Sequence, residues 1–204
     1  MENTEIKIGG KAETGYMGGF KWTGVNAIHG YMRYSDINKL VKTAFKKKYP
    51  ETKVSCSGKS FSGGQECNGI VFMKESEILK TYEEFKKSGY CPRWSTWYYI
   101  DGECIWGESP KLTDEMRLKA TYDNYRKNLK GYGVRMERAD ELDKAICKPE
   151  ILERAEYLND LYDSFNEYDI NGMVDYFDVN FYKDVYIKAL DWYNRNGGKN
   201  YDRC

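Results

Sequence analysis

Hydrophobic and polar residues alternate through residues 172–187. Phe177, Val179, Phe181, Val185 and Ile187 share one parity, and Tyr176, Asp178, Asn180, Tyr182, Asp184 and Tyr186 share the other. Side chains of a strand point to opposite faces in turn, so this pattern predicts a half-buried strand with an apolar side and a tyrosine-and-acid side. Lys183 interrupts the apolar parity and marks a bulge or bend.

Helical spacing dominates elsewhere. Ile37, Leu40, Val41, Ala44 and Phe45 predict a helix over 35–48, capped by Ser35 and stopped by Pro50. A second helix is expected over 76–87, with Ile78, Leu79, Tyr82 and Phe85 inward. Thr113 caps a third to about Lys130, carrying Leu118, Tyr122, Tyr125 and Leu129. A short helix over 139–146 precedes one that starts at Pro149, runs to about Tyr162 and buries Ile151, Ala155 and Leu158. Residues 53–57 and 65–73 read as a β-hairpin around a glycine-rich loop. Asp101-Gly102 between Trp97-Tyr98-Tyr99-Ile100 and Glu103-Cys104-Ile105-Trp106 is a strong hairpin signal, because both turn residues need positive φ. Residues 1–30 are glycine-rich and read as irregular, with a short strand near 5–8. Residues 164–169 read as a turn-rich link, and 189–193 as a helical turn. The sum is an α+β chain: a small antiparallel sheet packed by helices, with a helical, Trp-rich hairpin insertion.

The 32 basic and 32 acidic residues cancel, which argues against a general nucleic-acid binder. The 19 tyrosines and 5 tryptophans exceed what a core of this size hides, and both residue types favour interfaces. Six cysteines form no Cys-x-x-Cys pair and His29 is the lone histidine, so no zinc spacing or cofactor motif is present. The polar start and the lack of a long apolar run predict a cytosolic protein with free thiols. Gly58-Lys59-Ser60 suggests a phosphate loop, but Lys53 stands where that motif needs glycine, and the loop joins two strands. A catalytic centre is not assignable. Six residues of strand span roughly 20 Å, so Asp178 and Asp184 cannot share a metal ion without a sharp bend.

Two pieces resemble a known family. The first is Ile37-Asn38-Lys39-Leu40-Val41 with Tyr49-Pro50-Glu51-Thr52-Lys53 and Lys59-Ser60-Phe61-Ser62-Gly63-Gly64. The second is Ser164-Phe165-Asn166 with Gly172-Met173-Val174-Asp175-Tyr176-Phe177-Asp178. Together they resemble one class of the large polyvalent protein-associated domains of phages and conjugative elements. The resemblance implies a core split between 34–75 and 150–190. A lobe would be inserted at 76–149, with an arm at 1–33 and a tail at 191–204. It carries no catalytic residues and implies an accessory role, often interference with host defence.

The expected function is therefore non-catalytic inhibition of a bacterial defence protein or nuclease complex, in the manner of anti-CRISPR proteins. Trp94, Trp97, Tyr99, Trp106, Tyr176, Asp178 and Tyr182 are the candidate partner-binding residues. One alternative is capture of a signalling nucleotide, with Lys59 and Arg93 near phosphates and Trp94 near a base. Another is nucleic-acid binding through the lysines of 42–48 and 53–59.

Overall fold

The computed structural model describes residues 6–14, 19–27, 32–136, 139–171 and 176–190, with the backbone alone described for 169–171 and 176–179. Its main sheet has the order β3-β4-β10-β7, formed by Lys53–Phe61, Gly64–Met73, Tyr182–Ala189 and Val134–Arg135. β10 runs parallel to β4, from Tyr182 opposite Glu66 to Ala189 opposite Met73, and antiparallel to β7. Helices α1 (Tyr34–Lys48) and α6 (Pro149–Phe165) pack on this sheet and on each other. Ile37, Val41 and Phe45 repeat every four residues on α1 and are fully buried. Each such side chain contributes on the order of 1.5–3 kcal/mol. They meet Leu158, Leu161 and Tyr162 of α6, Phe181 just before β10, and Val185 and Ile187 within it.

The alternating run of 172–187 is not one strand. β9 (Tyr176–Val179) belongs to a second sheet, order β1-β2-β8-β9, with β1 at Gly10–Thr14, β2 at Phe20–Gly24 and β8 at Glu167–Asn171. The chain leaves one sheet for the other at Asn180 and Phe181. Buried amides hold both carbonyls there: Gln65 Nε2 donates to Asn180 O at 3.3 Å, and Asn166 Nδ2 to Phe181 O at 3.1 Å. The expected bend at Lys183 is instead an ion pair. Its Nζ reaches Asp163 Oδ2 at 2.5 Å and Asn159 Oδ1 at 2.7 Å on α6.

Other expectations shift for similar long-range reasons. The helix over 76–87 breaks into α2 (Glu75–Ile78) and α3 (Tyr82–Lys87). Leu79 between them bridges Cys147, and Thr81 with Glu84 then forms a capping box. α4 (Asp114–Lys130) is capped by Thr113 as expected, and α5 spans Glu141–Ile146. Helix α1 begins one residue early, after Arg33, without the side-chain cap expected from Ser35. Gly58, Lys59 and Ser60 are strand residues of β3, paired with Cys67, Glu66 and Gln65, rather than loop. Residues 164–169 end α6 and start β8. The strand near 5–8 lies instead at β1 and β2. Gly24 of β2 passes so close to α6 that a Cβ there would stand 2.3 Å from Ser164 O. The turn expected over 189–193 meets the end of β10 at Ala189, and 191–193 lie outside the described residues.

Candidate functional site

The hairpin of β5 (Trp97–Ile100) and β6 (Glu103–Trp106) turns on Asp101 (φ 50°) and Gly102 (φ 89°), the positive pair its sequence requires. That turn fixes the register Trp97↔Trp106, Tyr98↔Ile105 and Tyr99↔Cys104. One face follows Tyr98 and Ile105 inward, where Tyr98 packs with Leu112, just before α4, and Ala120 of α4 in a small cluster of its own. The other face therefore points Trp97, Tyr99, Cys104 and Trp106 outward. Trp97 is 61% exposed and Tyr99 58%, with Trp106 at 36%. The indoles of Trp97 and Trp106 meet edge to face at 5.2 Å, a favourable arrangement that stiffens both rings.

Trp94 extends this surface. Its ring lies 4.1 Å from the guanidinium of Arg117, which is buried and held by Gly107 O and Asp114. The cation fixes one face of the indole while about half of the side chain stays exposed. Lys127 stands 5.9 Å from the Tyr99 ring. Four of the predicted aromatic contacts thus belong to one region.

A cleft of about 480 Å³ opens at the hairpin's root, between Arg93, Trp97 and Tyr98 on one side, Asn124 and Asn128 of α4, and Glu141 of α5. Tyr98 donates its hydroxyl to Arg93 O at 2.6 Å, which sets the loop. The side chains of Arg93, Asn124, Asn128 and Glu141 make no hydrogen bond or ion pair with the described residues. Sequence reading reached Arg93 and Trp97 but missed the two asparagines. Their signal was an i, i+4 pair on the polar side of α4.

Beside the cleft, Tyr125 donates to Asp143 Oδ1 at 2.7 Å and lies 3.2 Å from Cys147 Sγ. Burial raises the Asp143 carboxyl and pushes the Cys147 thiol up to about 12, so that thiol is no ready nucleophile. The cluster ties α4 to α5.

The remaining candidates lie apart. Lys59 pairs with Glu66 at 3.5 Å on the main sheet and does not line the cleft with Arg93. Tyr182 is half exposed and stacks beside Phe61. Tyr176 and Asp178 lie on β9, and their side chains are outside the described residues. Asp178 and Asp184 fall in different sheets. Of the basic helix end, Lys48 pairs with Glu153 and covers Tyr157, and Lys46 binds Pro50 O. His29 is outside the described residues. Among those described, no three His, Cys, Asp or Glu side chains converge as a metal site, and the five cysteines are free. No described helix is long and apolar enough to cross a membrane. Set against known proteins, the chain matches no family model, no curated protein and no solved structure.

Proposed function

We propose that this chain is a non-catalytic binding protein, an accessory product of a phage or mobile element that inhibits a bacterial defence system by docking on one of its proteins. The observation that carries the docking reading is the outward hairpin face of Trp97, Tyr99 and Trp106, extended by Trp94. These are large, pre-ordered side chains of the types that dominate interface energies. Rings fixed by a tight turn and by each other lose little freedom on binding. The narrower identity of the partner rests on the family resemblance of 34–75 and 150–188.

The test is affinity capture from bacteria carrying nuclease-based defence, with mass spectrometry of the bound fraction. A stoichiometric defence protein is expected, and Trp97→Ala with Trp106→Ala should weaken its binding by roughly a hundredfold or more. Capture that survives both substitutions refutes the hairpin as the docking face. Turnover of a nucleic acid or nucleotide by the purified chain refutes the non-catalytic reading.

A second reading is favoured by one observation: Arg93 and Trp97 line a single cleft, as nucleotide capture would need. Asp140 and Glu141 in the same cleft oppose a phosphate. Nucleobase absorbance retained by the purified protein, and lost in Arg93→Ala, would establish this reading instead.

A further inference from the structure

Helix α4 meets the hairpin along one stripe. Arg117, Ala120, Thr121, Asn124 and Asn128 fall on one side of its 3.6-residue repeat. The hairpin covers the start of that stripe: Ala120 packs with Tyr98, and Arg117 donates to Gly107 O beside the Trp94 ring. The stripe then emerges as Asn124 and Asn128, which line the cleft of about 480 Å³ at the hairpin's root. Two asparagines alone would be a solvated helix face. The wall opposite them sets this pair apart.

That wall is the free edge of a strand. β5 ends its two-stranded sheet, and the hairpin side of the cleft is formed by Thr96, Trp97 and Tyr98. The two-residue turn at Asp101-Gly102 makes Ile100 and Glu103 a hydrogen-bonded pair. Bonded pairs then recur at every second residue, at Tyr98 with Ile105 and at Thr96 with Gly107, where Gly107 N donates to Thr96 O at 2.8 Å. Trp97 and Tyr99 therefore turn their N–H and C=O groups to the open edge. The two walls share a spacing. Four residues of helix rise about 6 Å, which separates Asn124 from Asn128. Same-facing main-chain groups of an extended chain recur at roughly 6.6–6.8 Å, as they do from Trp97 to Tyr99. A carboxamide also carries both the donor and the acceptor of a peptide group.

We infer that this cleft binds an extended peptide segment of a partner protein. Alternate residues of the segment add along the β5 edge at Trp97, and the intervening ones are held by the Asn124 and Asn128 amides. A phosphate is opposed by Asp140 and Glu141. An apolar ligand would strip the two amides of water without replacing their hydrogen bonds. An extended peptide serves both walls with one repeat and lays side chains against the Trp97 ring. The inference rests on the docking reading and narrows it: the partner offers an unpaired strand beside the aromatic face of the hairpin.

The test selects binders from a random library of short capped peptides on the intact, immobilised chain. The side-chain amide resonances of Asn124 and Asn128 are then followed by NMR in the ¹⁵N-labelled chain as a selected peptide is added. Saturable shifts of both are expected, and Asn124→Ala with Asn128→Ala should weaken binding about tenfold. Ester links in place of the peptide amides that face the asparagines should weaken binding to the native chain, with no further loss in that variant. Alanine favours helix over asparagine, so an undiminished melting temperature separates lost binding from lost fold. The inference is overturned if the library yields no saturable binder, if the selected peptide ignores both the substitutions and the esters, or if adenosine monophosphate shifts these amides where no peptide does. Its failure is distinct from that of docking. A captured defence protein that is lost with the Trp97 and Trp106 substitutions but kept with the asparagine pair overturns the peptide cleft alone. A peptide bound through the asparagines, with no defence protein captured, overturns the defence target alone.

Discussion

Lys183 stands on the face of β10 that otherwise carries Val185 and Ile187, yet it is satisfied by Asp163 and Asn159. Both members of the ion pair are about four-fifths buried, with side chains 17% and 21% exposed. Removing one leaves the other uncompensated, so Lys183→Met is expected to cost about 2 kcal/mol in urea unfolding, with part restored by adding Asp163→Asn. Nothing in the local sequence could name this partner, because Asp163 belongs to a helix that the strand meets only in three dimensions. The thiols give a second expectation. Burial pushes Cys67 and Cys147 each up to about 12, while Cys91 and Cys104 are exposed. Iodoacetamide at mild alkaline pH should label the exposed pair and spare the buried pair until the chain unfolds. The fold holds those buried thiols neutral. Their contribution is complete below the ordinary value of 9.0 and is lost as pH rises from there towards 12. Lys188 works the other way. Burial lowers it from 10.5 to about 8, so stability is gained as pH rises across that interval. Stability measured against pH should therefore rise slightly above 8 and fall at higher pH, and a monotonic fall from pH 7 would contradict these assignments.

At the scale of elements, local signals worked where local physics decides. The Asp101-Gly102 turn set the hairpin register and hence which aromatics share a face. The apolar stripe of α1 and the Thr113 cap of α4 were equally legible. The break between α2 and α3 was also written locally, in Thr81 and Glu84, but the apolar spacing of Ile78, Leu79, Tyr82 and Phe85 ran across it. Strands β7 and β8 were not legible: the two residues of β7 are strand only through pairing with distant β10, and β8, beside its neighbour β9, is placed in the second sheet by the distant β2. The cleft at the hairpin's root was hidden for the same reason: its walls come from three elements. The hairpin's small cluster with Leu112 and Ala120 is distinct from the main core. Gly102→Val, which forces a β-branched residue to positive φ, should therefore melt the hairpin locally. Amide exchange is expected to speed up in β5 and β6 while β4 and β10 keep their protection; simultaneous loss in both would show one cooperative unit.

For the whole molecule, the decisive contact is long in sequence. β4 pairs with β10 in parallel, more than a hundred residues later, and the buried Val185 and Ile187 fill the core beneath α1 and α6. A chain cut after residue 175 loses that strand. It is expected to show no cooperative thermal transition by circular dichroism, whereas an independent N-terminal domain would still melt sharply. Alternation predicted the strand's apolar side but not its change of sheet at Asn180 and Phe181, because the parity continues unbroken through the bend. The placement of β10 also bears on synthesis. It is the third strand in the order of its sheet, but is made after both of its neighbours, β4 and β7. While the ribosome is still adding residues beyond 135, the nascent chain already carries Ile70, Val71 and Phe72 along an unfilled slot. That slot is an open template for other chains until residue 189 has emerged. Premature termination would thus yield a sticky product rather than a smaller working one, and holdase chaperones should be found on stalled chains and not on completed ones.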